Sequence, residues 1–364
     1  MSGVLRVAVR ADAGHVIGTG HVMRCMSICE ELRKLGAQCV FFCKRHQGHL
    51  RELILKRGFD CILLEVDSSW RASGHLSWVG GSPEDDLEQF LDQLRGVKPF
   101  DLVIIDHYGL DGEYEKQVRR FVPVIAVLDD LADRPHDCDV LVDQNVGHDA
   151  SCYLDLVPED ALLCVGEKYA PLRTVFAELR DQSLERRNYA SSQFSVLVAY
   201  GGADPDNLTG RTIDALSGLS KIAHVDVVLS SIAKHLPSVR ALIDELSNVT
   251  LHVDTREMPE LMLNADFAIG AAGVTALERC ALGLPTLMAI IAANQISTAE
   301  FLERKGAVKL LGHVDDIDAF KLKQAVCKLV DAPEELSNMS QAAAALCDGK
   351  GLERIVPNLL RKLN

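Results

Sequence analysis

The feature that most constrains this chain is an alternation that occurs twice: short apolar runs, each followed by a polar turn and an amphipathic stretch. In the first half, runs at 4–10, 38–43, 60–64, 102–106, 124–128 and 139–142 read as strands, and 21–35, 47–56, 84–96 and 112–121 read as helices. Apolar runs of this length, separated by helix-period segments, are what a parallel sheet covered by helices requires. Residues 65–82, with Gly80, Gly81 and Pro83 at the end, form a longer loop after the third strand. The polar stretch Asp181–Asn188 breaks the pattern and reads as a linker. Alternation then restarts, with strands at 194–200, 224–229, 249–252, 266–270 and 285–290 and helices at 208–218, 235–245, 257–263, 275–282 and 296–304. Residues 315–362 read as helical throughout. At 364 residues the chain exceeds what one core usually serves. The expectation is α/β, with two Rossmann-like doubly wound domains, 1–180 and 190–364, facing across a cleft. The last helix is free to pack back on the N-terminal domain.

Composition narrows the partners. The formal net charge of -14 argues against nucleic acid, whose backbone is held by clustered Lys and Arg. It does not argue against one small anionic ligand, because backbone N–H groups can hold a diphosphate. No segment reaches the run of about 20 apolar residues that a membrane span needs. The opening Met1–Arg10 lacks the pattern of a signal peptide. Eleven cysteines without a Cys-x-x-Cys pair suggest reduced, buried thiols and a cytoplasmic protein, with no zinc and no other metal expected.

In open α/β sheets ligands sit beyond the carboxyl ends of strands, so the loops that follow strands carry the functional reading. The first runs Arg10-Ala-Asp12-Ala-Gly14-His15-Val-Ile-Gly18-Thr-Gly20-His21-Val-Met-Arg24. Its glycines lead into a helix and permit close approach of a ligand. The third glycine of a dinucleotide fingerprint is replaced by Met23, which disfavours a nicotinamide cofactor. No cofactor of any kind is expected. His21 sits where the helix begins, whose positive end favours neutral imidazole, the form a general base needs. The alternative is a purely structural histidine. Arg24, one turn on, is read as holding His21 or a carboxylate in place, or as a solvated helix residue. After the fourth strand, Asp106-His107-Tyr108 puts three polar groups at the sheet edge, for orienting a neighbour or for capping and packing. Asp129-Asp130, after the next strand, resembles a similar polar edge but reads better as turn and cap.

In the second half, Tyr200-Gly201-Gly202-Ala-Asp204-Pro205 is a phosphate-compatible turn, with Asp204 and Pro205 as N-cap and first helical residue. Gly270-Ala-Ala-Gly273-Val274-Thr275-Ala-Leu-Glu278 is a second strand–glycine loop–helix unit. Glu278 is read either as the acceptor for both ribose hydroxyls or as the partner of Thr275 in a capping box. Asn294 and Gln295, after the next strand, either bond sugar hydroxyls and amides or cap a helix.

Taken together, the second-half loops, with Gly283-Leu-Pro285 and Asn294-Gln295, resemble the donor-binding half of GT-B glycosyltransferases, among them the peptidoglycan N-acetylglucosaminyltransferase. The first half, with Arg10-Ala-Asp12-Ala-Gly14, Ile17-Gly-Thr-Gly-His21-Val-Met-Arg24 and Asp106-His-Tyr108, resembles the UDP-sugar hydrolases of the pseudaminic acid pathway. The matches span residues 4–310. The resemblance implies metal-independent hydrolysis of UDP-2,4-diacetamido-2,4,6-trideoxy-β-L-altropyranose to UDP and free sugar, in a pathway that serves flagellin glycosylation. It implies His21 as base, and Gly20, Arg24, Asp12, Tyr108, Asn294 and Gln295 around the sugar. It also implies Tyr200, Gly201, Gly202, Gly273, Val274, Thr275 and Glu278 around the nucleotide. His15 departs from the pattern and is given no role. The expected partner is the UDP-sugar alone, with a monomeric protein. A UDP-sugar-dependent glycosyltransferase, with an acceptor hydroxyl in place of water, and a non-catalytic nucleotide-sugar-binding protein are the rival readings.

Overall fold

The computed structural model describes residues 3–96, 98–187, 193–273 and 275–363. The chain divides into two compact units: Met1–Leu172 with Lys350–Asn364, and Arg173–Gly349.

The first unit holds seven strands: β1 (Arg6–Ala11), β2 (Gln38–Lys44), β3 (Asp60–Leu64), β4 (Leu102–Asp106), β5 (Val124–Leu128), β6 (Val140–Asp143) and β7 (Leu162–Val165). They form one parallel sheet in the order β3-β2-β1-β4-β5-β6-β7. β1, β4, β5 and β6 are buried almost throughout, as helices on both faces require. The strand order reverses between β1 and β4. At such a switch point neighbouring loops diverge and leave a crevice beyond the carboxyl ends. The loops after β1 and β4, which carry His21 and Asp106–Tyr108, flank that point.

The helix Gly351–Lys362 belongs to this first unit. Leu352, Ile355, Val356 and Leu359 share a buried core with Val22, Cys25, Ile28 and Leu32 of the helix Gly20–Lys34. The chain therefore passes from one unit to the other twice.

The second unit holds β8 (Phe194–Ala199), β9 (Ile222–Leu229), β10 (Val249–Val253), β11 (Phe267–Ala271), β12 (Thr286–Ile290) and β13 (Val308–His313). Their order is β10-β9-β8-β11-β12-β13, again parallel, with the switch between β8 and β11. The loops after these two strands are the two glycine-rich turns picked out in the second half.

Three elements depart from the sequence expectation. β7 and β13 are edge strands missing from the expected set: β7 is as apolar a run as those picked out and was overlooked, and β13 is interrupted by Lys309 and Gly312. The stretch from Asp181, read as a linker, is instead the end of the helix Val175–Arg186, with Asn188 outside the described residues. Asp181, Gln182, Glu185 and Arg186 face solvent, but Ser183 and Arg187 are buried and, with Arg180, spend their donors on backbone carbonyls. Arg180 donates to the carbonyls of Ala281, Ala344 and Cys347, Ser183 to Leu282, and Arg187 to Met262, Ala265 and Leu282. These carbonyls lie at or just beyond helix C-termini, where orphan acceptors and the negative end of the dipole favour guanidinium donors. The helix is anchored by hydrogen bonds, so it lacks the apolar stripe that would have shown in the sequence. Among the described residues no helix is long and apolar enough to cross a membrane.

Candidate functional site

The loop after β1 is closed by a pair of hydrogen bonds between Gly14 and Gly18, 3.1 and 2.8 Å, which pinch its tip and let the helix begin at Gly20. No side chain caps that helix, and its first turn has no acidic residue. His21, in the first turn, is buried, and its Nδ1 lies 2.6 Å from Oδ1 of Asp106. The carboxylate accepts the Nδ1–H. This fixes the tautomer and leaves the lone pair on Nε2, which makes no hydrogen bond to a described residue.

Asp106 is itself held. Arg24 donates to both of its oxygens, at 2.6 and 2.7 Å, and its third nitrogen reaches Oδ2 of Asp130. Burial opposes ionisation of Asp106, but the Arg24 guanidinium and the His21 ring outweigh it and hold the carboxyl well below the usual range. Asp130 also accepts the Tyr108 hydroxyl at 2.5 Å. Burial and the Asp130 carboxylate push the Tyr108 phenol far up, so it stays a donor. The Tyr108 ring stands edge-on to His21, with centroids 4.6 Å apart. The result is a chain Tyr108–Asp130–Arg24–Asp106–His21, all in the first unit. At its end stands His21, whose Nδ1 is committed to Asp106.

This corrects two first-unit assignments. Arg24 spends its guanidinium on Asp106 and Asp130, so it positions the histidine and is not offered to a ligand. Asp12 is fully buried: Arg10 donates to it at 2.7 Å and the Lys44 backbone N–H at 2.6 Å. It cannot touch a substrate. It braces the loop after β1 from below, with His107 Nε2 3.4 Å from its other oxygen. His107 Nδ1 accepts the Gly109 N–H at 3.0 Å, and burial pushes His107 down to about 4 against the pull of Asp12. Its neutral Nε2–H therefore faces the carboxylate.

Asp130 escaped the sequence reading. Its neighbour Asp129 closes the turn, accepting from Leu131 and Ala132, whereas Asp130 reaches across two strands to Arg24. Tandem aspartates carry no sign of which one points where. Trp78 and His75, in the 3-10 turn Gly74–Val79 of the long loop after β3, were also missed. Both rings pack beside Tyr108.

In the second unit, Gly201 and Gly202 lie exposed after β8, but Tyr200 does not face a ligand. It is buried, with its hydroxyl 2.8 Å from Thr212 Oγ1, which corrects its place among the nucleotide contacts. Asp204 accepts the backbone N–H groups of Leu208 and Thr209. The cap position is Asn207, and the helix starts at Leu208 rather than at Pro205.

After β11, Gly273 is half-buried and Val274 lies outside the described residues. Thr275 is the first residue of the helix Thr275–Ala281 and its hydroxyl accepts from Arg279 at 3.0 Å, so no capping box with Glu278 forms. Glu278 is half-buried and makes no hydrogen bond or ion pair with a described residue. Burial pushes it up to about 7, against the pull of Arg173 and Arg279. An unpaired carboxylate in such a place is short of donors.

Arg279 is the converse. It is buried, donates to the Ala271 carbonyl at 2.6 Å, and has its Nε unpartnered among the described residues. Burial lowers it to about 10, so it remains a cation beneath the glycine loop. Gly270 makes room for this packing: a Cβ there would lie 2.4 Å from the Ala199 carbonyl oxygen and 3.2 Å from Arg279. Gln295 Oε1 accepts the Ile291 N–H at 3.2 Å, closing the loop after β12, while Asn294 is exposed. Among the described residues no group of three or more His, Cys, Asp or Glu side chains could hold a metal ion.

No family model matches the chain. Among solved structures, MurG of Acinetobacter baumannii superposes with a TM-score of 0.66 at 15% identity, covering 99% of this chain and 100% of that one. The spinosyn rhamnosyltransferase SpnG, with its aglycone, gives 0.66 at 17%, covering 97% and 100%. The fold is of the GT-B type. Among curated proteins, the UDP-2,4-diacetamido-2,4,6-trideoxy-β-L-altropyranose hydrolase of Campylobacter jejuni is 24% identical over 302 residues, 83% of this chain and 97% of that one. The spore coat polysaccharide biosynthesis protein SpsG of Bacillus subtilis is 23% identical over 355 residues, 96% of each. An uncharacterized protein of Methanocaldococcus jannaschii is 25% identical over 291 residues, 78% of this chain. The match spans only 55% of that archaeal protein's length. The chain thus resembles the Campylobacter jejuni hydrolase along most of its length, as its loops suggested.

Proposed function

We propose that this protein is an enzyme acting on a UDP-sugar, and that it hydrolyses its substrate to UDP and the free sugar. The observation that carries the proposal is the Asp106–His21 pair, with Nδ1 committed and Nε2 left without a partner. In this reading Nε2 takes a proton from water as the water oxygen bonds to the anomeric carbon. The bond from that carbon to the β-phosphate oxygen breaks, and UDP leaves with the electron pair. The second unit supplies the nucleotide site: backbone N–H groups of the glycine loops and the buried Arg279 cation oppose the charge that develops on UDP. The ribose hydroxyls donate to Glu278. Metal plays no part. The likeness to the Campylobacter jejuni hydrolase points to UDP-2,4-diacetamido-2,4,6-trideoxy-β-L-altropyranose as the substrate. The GT-B fold and its transferase relatives favour one rival, transfer to an acceptor hydroxyl.

The deciding experiment is incubation with UDP-diacetamido sugars and no acceptor, followed by NMR at the anomeric proton. UDP and free sugar are expected. UDP only when an acceptor is added would mean a transferase, and binding without turnover a non-catalytic binder.

Glu278 adds a pH signature. A ribose hydroxyl donates to the ionised carboxylate, and ligand-free Glu278 titrates near 7. Affinity for UDP-N-acetylglucosamine, which has no group titrating between pH 5 and 8, should fall about tenfold from pH 8 to pH 6. Calorimetry on wild type and Glu278→Gln checks this, and the variant should bind weakly at both pH values. A flat wild-type profile would remove Glu278 from the ribose role.

A further inference from the structure

We propose that Trp78 and His75, together with Tyr108, form an aromatic wall that receives an apolar face of the sugar undergoing reaction at His21. That face is a deoxy methyl group, an N-acetyl methyl or the C–H side of the ring. The inference rests on the UDP-sugar reading above and assigns to the long loop after β3 the choice of which sugar is accepted.

The four rings form one cluster. His75 and Trp78 have centroids 4.7 Å apart, His75 and Tyr108 5.1 Å, and Trp78 and Tyr108 5.8 Å with planes tilted by 30°. Trp78 stands 6.0 Å from His21, edge to face, and Tyr108 4.6 Å. Of the four, only His21 is buried; Trp78, His75 and Tyr108 each leave part of their surface open. Ring faces carry partial negative charge and attract C–H hydrogens, so an open aromatic surface favours apolar edges of a sugar over hydroxyl-bearing ones. The indole Nε1 of Trp78 makes no hydrogen bond to a described residue. It is left to donate to an acceptor such as an amide carbonyl.

The turn that carries the wall is held by backbone contacts within its own loop and to the segments after β2 and β4, which separates it from an incidental cluster of loop aromatics. His46 Nε2 donates to the Trp78 carbonyl at 2.8 Å. The Asp67 N–H donates to the Gly80 carbonyl at 2.7 Å, closing the loop, and Val79 is fully buried beneath it. Gly109, next to Tyr108, packs under the same turn. A Cβ there would lie 2.7 Å from the His75 carbonyl oxygen and 2.8 Å from Val79. Only glycine lets the loop after β4 and the turn of Trp78 approach so closely. The four aromatic positions are therefore set by backbone contacts, and the wall is in place before a ligand arrives.

The test compares UDP-2,4-diacetamido-2,4,6-trideoxyhexose with UDP-N-acetylglucosamine in wild type, Trp78→Ala, Trp78→Phe and His75→Ala. Trp78→Ala should raise KM for the trideoxy substrate by about 10- to 100-fold, the range for lost apolar pocket contacts, with a smaller change in kcat. Its preference for that substrate over the hydroxylated one should shrink, Trp78→Phe should recover most of both, and UDP affinity and Tm should not move. An unchanged preference in a folded Trp78→Ala protein overturns the wall. A second readout does not depend on turnover. The chain has two tryptophans, so Trp70→Phe leaves Trp78 as sole reporter. The free 2,4-diacetamido-2,4,6-trideoxyhexose should shift its emission and glucose should not. No shift at saturating trideoxyhexose overturns the proposal. Absence of UDP release from every UDP-sugar in wild type would instead overturn the hydrolase reading, with the emission titration still deciding the wall.

Discussion

His21→Ala is expected to lower UDP release by about 10³-fold while nucleotide affinity and Tm stay at wild-type values. The magnitude is that of a positioned general base removed from a reaction that still has its electrostatic stabilisation. The split between rate and affinity follows from where the groups lie, since His21 belongs to the first unit and Glu278 and Arg279 to the second. Asp106→Asn is the companion variant. An amide lets the imidazole carry its proton on the wrong nitrogen and loses the charge that Arg24 neutralises, so a loss of similar size follows. It should come with reduced stability, because Arg24 would be left with one carboxylate in place of two. Steady-state rates with UDP detection, beside calorimetric UDP affinities, check both. A fully active His21→Ala protein would end the assignment of His21 as base.

Asp86→Ala should produce the largest loss of stability, although Asp86 lies in no loop near the histidine. Asp86 is fully buried and accepts from Arg10 at 2.7 and 3.2 Å and from the Tyr114 hydroxyl at 2.9 Å, with Lys44 Nζ 3.2 Å away. Removing it leaves Arg10 with Asp12 as its one carboxylate partner, and Lys44 Nζ with the Glu65 carbonyl in place of an ion pair. Breaking a buried ion set in this way costs about 3–5 kcal/mol, roughly 10 °C in the melting of a unit this size. Asp86→Asn, which keeps the acceptor but not the charge, should fall in between. Melting within about 2 °C of wild type would show that the cluster contributes little.

The same set predicts acid sensitivity. Burial opposes ionisation of Asp86 and Asp12, but Arg10 outweighs it, lowering Asp86 below its ordinary value and Asp12 to about 2. Carboxylates with depressed values stabilise the folded state above their unfolded pKa and lose that contribution as pH falls through the folded one. The first unit should therefore lose stability from about pH 4 to pH 2.

The sheet and its loops were legible because their signals are local. An apolar run as short as Leu102–Ile105, closed by a polar turn with Gly109, is too short for a helix and reads as a buried strand. Four of the five loops singled out in the sequence lie at the carboxyl edge of a strand flanking a switch point; the fifth, with Asn294 and Gln295, follows β12, one strand further out. What could not be read is how side chains reach across strands. Asp86 sits in an acidic first turn, Glu84-Asp85-Asp86, where any of the three serves the helix dipole equally; that Asp86 alone turns inward to Arg10 is set by β1. Tyr200 and Asp12 lie in the right loops, but they point into the core, because alternate residues at a strand end face opposite ways. The helix Val175–Arg186 was hidden for the opposite reason, being held by guanidinium groups on carbonyls where an apolar stripe would be expected.

The return of the helix Gly351–Lys362 to the first unit bears on how the protein is made. During synthesis the second unit has its whole chain before the first does. The core around Val22, Cys25 and Ile28 stays without Leu352, Ile355 and Leu359 for the time the ribosome takes to add Arg173–Gly349. At about 5–20 residues per second that is on the order of 10–35 s. The unit that starts first finishes last, and for that interval its apolar groove is open to chaperones and to neighbouring nascent chains.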